Sequence, residues 1–302
     1  MSEPLCLLTV HAHPDDESSK GPATVAHYGA EGVRTVLVCC TGGEAGEILN
    51  PAMDLPEVRE KLPEVRAQEL ARATEVIGFD EVVMLGYRDS GMPGSECNEH
   101  PDCFARAPLD EAVGKLVEII RRERPQVIIT YPDEQKGYPH PDHLRVHEIT
   151  LPAFDAAGDP DAYPEAGPPW QPLKLYYSGW SRARMVATHE KFLELGLDSP
   201  FPKEWIDGPT MDERITTQID VSAHHLVRRN ALLAHATQID PTSKFWFGLP
   251  PEVVVYPFDD FILARSLVDG AEPDGEVKED DLFAGLRGRD RSASLRDPAR
   301  RG

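Results

Sequence analysis

Four short apolar runs, "LCLLTV" (5–10), "VRTVLVCC" (33–40), "EVVML" (81–85) and "QVIIT" (126–130), punctuate the first half of the chain. Nearly every residue in them is apolar, as expected of strands covered on both faces. Longer stretches lie between them (21–32, 57–78 and 109–124). The last carries apolar residues at Leu109, Val113, Leu116, Ile119 and Ile120, which is a helical stripe. Strand and helix in repeated alternation predict right-handed βαβ units. The expected fold is therefore α/β, a Rossmann-like, mostly parallel sheet flanked by helices. Ligands of such sheets bind beyond the carboxyl ends of the strands. Three polar clusters, "HAHPDDE", "TGGEAGE" and "YPDEQKGYPHPDH", each follow a strand directly, so they should converge on one edge of the sheet.

The first cluster is electrostatically odd, because acidic residues massed at the end of a buried strand repel one another unless something positive joins them. His13 and Asp16, three apart on a turn, supply two of the three protein ligands of an open zinc site. An isolated pair of this kind is more often a satisfied imidazole beside solvated acids. The third cluster changes that balance. Pro141 suits a first helical turn, and His140, His143 and His147 would then share one helix face. Either His143 or His147 can complete a set of two histidines and one aspartate with an open position, the catalytic pattern for zinc. Asp15, next to Asp16, can take a proton from an attacking water, and an imidazole that does not ligate can stabilise an oxyanion. Competing chemistries lack their parts: the glycines of "TGGEAGE" form neither GxGxxG nor a P-loop, and there is no GxSxG and no recognisable cysteine nucleophile.

"AHPDDE" together with "HPDH" resembles the LmbE-like (PIG-L) family of zinc-dependent deacetylases, which remove N-acyl groups from glucosamine-containing substrates. "HAHPDDESSKG", "TGGEAGEILNPAMDLP", "GYPHPDH", "HATQIDP" and "DDLFAGL" extend the resemblance over nearly the whole chain. They point to the branch that hydrolyses the amide of mycothiol S-conjugates, in detoxification. Two alternatives stay open within this chemistry: deacetylation of N-acetylglucosaminyl-inositol, and processing of a mycothiol adduct in natural-product biosynthesis. A non-catalytic sugar-binding module is the reading from another class. The resemblance implies one Zn²⁺ (or Fe²⁺) held by His13, Asp16 and His143, with Asp15 as general base. It implies His140 as the oxyanion-stabilising imidazole, Asp142 orienting it, and Tyr138 as a mobile tyrosine polarising the scissile carbonyl. Arg66 and Asp89 would hold inositol hydroxyls, Glu47 the sugar, and Lys20 the conjugate. His147 is left to the helix face, and His11, Glu17 and His235 are unassigned.

The remaining sequence bounds context. A net charge of −21 argues against nucleic acid or an anionic membrane as partner. No long apolar run or secretory leader is present, so a cytoplasmic enzyme is expected. Five cysteines without a CxxC pair read as reduced thiols. One domain is expected over 1–287, a core to about 160 and a less regular C-terminal part completing the substrate site. In that part 163–172 reads as a surface loop, 173–179 as a strand, and 222–239 and 259–268 as helices, followed by a disordered tail over 288–302.

Overall fold

β1 (Cys6–His11) is buried along its whole length, and its place in the sheet explains why. It pairs in parallel with β2 (Arg34–Thr41) on one side and β4 (Val127–Thr130) on the other. The computed structural model describes residues 4–135, 137–268 and 278–288. Within them β3 (Glu81–Tyr87), β5 (Lys174–Gly179), β6 (Thr217–Asp220) and β7 (Phe258–Ser266) complete a seven-stranded sheet of order β3-β2-β1-β4-β5-β7-β6. β1 to β5 run parallel, and β7 is antiparallel to both its neighbours.

The helices are α1 (Asp16–Ser19), α2 (Pro22–Ala30), α3 (Pro56–Glu60), α4 (Leu62–Ile77), α5 (Leu109–Glu123), α6 (Pro141–Ala156), α7 (Arg182–Glu194), α8 (Lys203–Asp207), α9 (His225–Ala234) and α10 (Lys244–Phe247). The stripe on α5 buries Val113, Leu116, Ile119 and Ile120 in a core shared with α6 and one face of the sheet. The opposite face packs on α2, α4 and α9, through Ala23, Val25, Ala73, Ile77 and Ala231. Strand order reverses between β1 and β4, so the chain's two widest motifs leave the sheet at one switch point.

Several expectations need correction. Residues 259–268 are not helical: they form most of β7, which is central because β5 and β6 pair on either side of it. A run "DDFILARS" with adjacent apolar residues fits a doubly covered strand better than a 3.6-residue stripe. β3 is an edge strand and is only half covered, with Met84 exposed. The helix expected over 57–78 breaks at Lys61, and Pro63 starts α4 afresh. The helix expected over 222–239 is α9 preceded by a 3-10 turn, and it ends before His235. The 163–172 segment is a loop, though Trp170 within it is buried. All five cysteine thiols are free. Residues 289–302, the tail of the sequence reading, lie outside the described residues. No helix among the described residues is long and apolar enough to cross a membrane.

Candidate active site

The turn after β1 carries the first cluster. Asp15 caps α1 with φ 118°, a left-handed conformation unusual for a residue with a Cβ. Glu17 braces that strained peptide by accepting the Asp15 N–H at 2.8 Å. His235 in turn donates to Glu17, with Nε2 2.7 Å from Oε1. Both members of this pair are fully buried, and sequence reasoning assigned them no role. The fixed turn sends Asp15 and Asp16 in different directions. Asp15 reaches Arg66 at 3.1 Å, whereas Asp16 reaches the histidines.

Three donor atoms meet at one point. Oδ2 of Asp16 lies 3.3 Å from Nδ1 of His13 and 3.3 Å from Nε2 of His143. Tetrahedral ligands at zinc distances of about 2.0–2.1 Å stand roughly 3.3 Å apart, so the set matches a small divalent cation. Lys20 holds the other Asp16 oxygen at 2.5 Å. These neighbours hold the Asp16 carboxyl well below its usual range despite burial, which pushes the other way. The second nitrogen of His13 faces Asp142 at 3.1 Å and Asp89 at 3.5 Å. Donation from Nε2–H to Asp142 leaves the Nδ1 lone pair free to ligate, an arrangement common around metal-bound imidazoles. His13, Asp89, His140 and Asp142 also gather closely enough to count as a second group of potential ligands.

α6 brings the third cluster to the same place. His140 is its N-cap, and Nδ1 accepts the Asp142 N–H at 3.2 Å. That bond puts the ring proton on Nε2. Burial, reinforced by the charges of His13 and His143, lowers the His140 pKa to about 4, so a neutral imidazole with an N–H faces the cavity. The expected link between Asp142 and His140 therefore runs through the backbone, and the Asp142 carboxylate instead serves His13 and Ser90. His147, the other ligand candidate by spacing, turns away: Nδ1 lies 3.2 Å from the Tyr131 carbonyl. Tyr138 is half exposed, and its hydroxyl donates to the Met92 sulfur at 3.4 Å.

A cavity of about 500 Å³ opens over these groups and is bordered by His13, Asp15, Asp16, His140 and His143. Lys20, Glu47, Arg66, Asp89 and Tyr138 also line it, so of the candidate residues only Asp142 and the spacing candidate His147 do not reach this space. Arg66 has a second part besides lining the cavity. It is buried, and its guanidinium donates to the Gly43 and Pro14 carbonyls as well as to Asp15. Two of the three glycines of "TGGEAGE" make room for it: a Cβ at Gly43 or Gly46 would collide with that guanidinium. Arg66 thus clamps two strand-end loops around Asp15. Burial raises the Asp15 pKa to about 6, with Arg66 pulling it down and Asp16 pushing it up.

The PIG-L family model, described as GlcNAc-PI de-N-acetylase, matches residues 8–154, from β1 to α6. A mycothiol S-conjugate amidase of Streptomyces coelicolor is 46% identical over 298 residues, 95% of this chain and 99% of that protein. A 1D-myo-inositol 2-acetamido-2-deoxy-alpha-D-glucopyranoside deacetylase of Thermobifida fusca is 42% identical, over 92% of this chain and 98% of that protein. Among solved structures, an N,N'-diacetylchitobiose deacetylase from Pyrococcus horikoshii aligns with TM-score 0.55 at 16% identity, over 86% of this chain and 84% of that one. A conserved protein of Thermus thermophilus aligns with TM-score 0.55 at 22% identity, over 87% of this chain and 96% of that one. These two share the fold.

Proposed function

The chain belongs to the PIG-L family, and from that premise we propose that it is a zinc-dependent amidase acting on mycothiol S-conjugates. The reaction hydrolyses the amide between glucosaminyl-inositol and an S-substituted N-acetylcysteine, releasing the amine and a mercapturic acid. Convergence of His13, Asp16 and His143 beside a separately held Asp15 is the observation that carries the hydrolytic chemistry. The near full-length likeness to the Streptomyces coelicolor amidase carries the substrate.

His13, Asp16 and His143 would hold the cation, which supplies positive charge that polarises a carbonyl and acidifies water. Fe²⁺ fits the same donors, and availability decides between the two metals. Asp15 takes the proton of the attacking water, and a carboxylate raised toward neutrality is suited to that task. The Nε2–H of His140 donates to the oxyanion as the carbonyl carbon becomes tetrahedral. Tyr138 stands at the cavity mouth, where its hydroxyl can exchange Met92 for the substrate carbonyl. Asp89 and Glu47 offer carboxylates to sugar and inositol hydroxyls, and Lys20 borders the acyl side.

Deacetylation of N-acetylglucosaminyl-inositol is the second reading, favoured by relatives named as that deacetylase at 36–42% identity. Rates of amine release from a mycothiol S-conjugate and from the acetylated sugar, measured on one preparation, separate the two. Faster turnover of the conjugate is expected. A preparation made without chelator that holds no stoichiometric divalent metal would remove both hydrolase readings.

A further inference from the structure

A second cavity of about 520 Å³ lies on the far side of Lys20 from the sugar-facing carboxylates. Ser19, Lys20, Tyr138, His143 and Trp246 border both cavities, so the two are arms of one channel that meet at the candidate metal site. A substrate whose amide lies at His143 must send one half into each arm.

The arms differ in chemistry. Asp89, Glu47, Arg66 and Gln238 wall the first, groups that pair with hydroxyls. Trp180, Phe245, Trp246 and Phe261 wall the second. Phe245 stacks on Trp180 with centroids 5.9 Å apart and meets Trp246 edge-on at 4.7 Å. Arg184 and Arg228 line the same arm, with their guanidinium groups 5.2 and 5.8 Å from the Trp180 ring centre. Both arginines are held by one carboxylate, Asp259, at 3.1 and 2.6 Å. Asp259 offsets one of the two charges and Asp260, which lines the same cavity and acts on Arg228, offsets the other. The stacked rings thus form a preset apolar surface beside a paired ionic cluster. The volume is that of a pocket for a ring system, well beyond a methyl group.

We propose that this aromatic arm is the subsite for the sulfur substituent of the conjugate, and that it selects aromatic or bulky apolar S-substituents. The assignment rests on the amidase reading above. It makes Trp180 and Phe245 specificity-determining residues, since they wall the second arm and are absent from the first.

The test compares kcat/KM for S-benzyl and S-methyl conjugates of the same glucosaminyl-inositol thiol on the metal-loaded enzyme. Wild type should favour S-benzyl by about tenfold or more. Trp180→Ala and Phe245→Ala should each lower S-benzyl turnover far more than S-methyl turnover, and Trp180→Phe should retain most of the preference. Equal rates for the two conjugates on wild type would overturn the subsite whatever the variants do. So would a preference that survives both alanine substitutions. If neither conjugate is hydrolysed while the acetylated sugar is, the amidase reading itself fails and takes the subsite with it. Should an alanine variant fail to fold, the wild-type comparison and Trp180→Phe still decide.

Discussion

Carboxylates stand on both flanks of the His13 ring, at similar distances, yet the two flanks are built for different work. On the Nδ1 side, Asp16 meets a second imidazole, His143, at the same 3.3 Å. On the Nε2 side, Asp142 already accepts the Ser90 N–H at 2.9 Å and the Ser90 hydroxyl. Asp89 there accepts the N–H groups of Gly91 at 2.8 Å and Ala45 at 3.1 Å. Asp16 Oδ2 also accepts a backbone N–H, from His13 at 3.0 Å, so what sets it apart is the second imidazole nitrogen that meets the same oxygen. Asp142 and Asp89 instead spend their oxygens on Ser90, Gly91 and Ala45. Residue type and proximity do not separate a ligand from its support. The other bonds each group makes do.

The largest effect should follow from breaking the Nδ1 flank. Asp16→Asn or His143→Ala should abolish stoichiometric metal binding, read by elemental analysis, and lower kcat by about a thousandfold or more, since several kcal/mol of charge stabilisation is lost. Next comes Asp15→Ala, with metal retained and kcat lowered by about 10²- to 10⁴-fold. A loss below about a hundredfold would remove Asp15 as the general base. Because the base must be ionised, activity should fall as pH drops through its pKa. The acid limb of kcat/KM should then lie at or below about 6, as a bound cation adds to the downward pull of Arg66. Asp142→Ala, on the Nε2 flank, should weaken metal affinity by only about 10- to 100-fold. If it emptied the site as completely as Asp16→Asn, the two flanks would have to trade roles.

Much of this was legible in the residues. Four strands announced themselves as apolar runs, three of them doubly covered and β3 at the edge, and polar segments following them fell at the switch point between β1 and β4. Spacing left His143 and His147 equal. Only packing separates them, because the Tyr131 carbonyl claims His147. Asp142 looked like a partner of His140, but α6 turns its carboxylate inward onto His13. Only the resemblance singled out Arg66, for inositol hydroxyls; its clamp on two loops depends on two glycines some twenty residues away that no helical pattern could link to it. The C-terminal half was least legible: the expectation for "DDFILARS" is helix, and its strand partners β5 and β6 lie in distant segments that carry no motif. The aromatic arm is assembled from β5, α7, α9, α10 and β7, none of which carries a motif.

His235 and Glu17 stand outside both flanks and give the smallest expected effect on catalysis. Their pair touches the reaction through the Asp15 N–H and through the His235 charge, which pulls the Asp15 carboxyl down, so His235→Gln should lower kcat less than Asp142→Ala and leave metal content intact. Stability is where it should show. Burial opposes both charges, yet each partner overcomes it: the Glu17 pKa is lowered and the His235 pKa is raised. Glu17 therefore contributes stability above its unfolded pKa of about 4.5, lost as pH falls through its lowered folded value. His235 contributes fully below its unfolded pKa of about 6.5, and that share is lost as pH rises through its raised folded value. The pair should thus stabilise most between about 4.5 and 6.5. The difference in unfolding free energy between wild type and His235→Gln should peak in that window at about 3–5 kcal/mol, the usual effect of stranding one buried charge. It should shrink on the alkaline side, measured by denaturant unfolding of the metal-loaded proteins. A difference that stays flat from pH 5 to 9 would mean that His235 is neutral throughout, and that Glu17 braces the Asp15 turn through a neutral hydrogen bond.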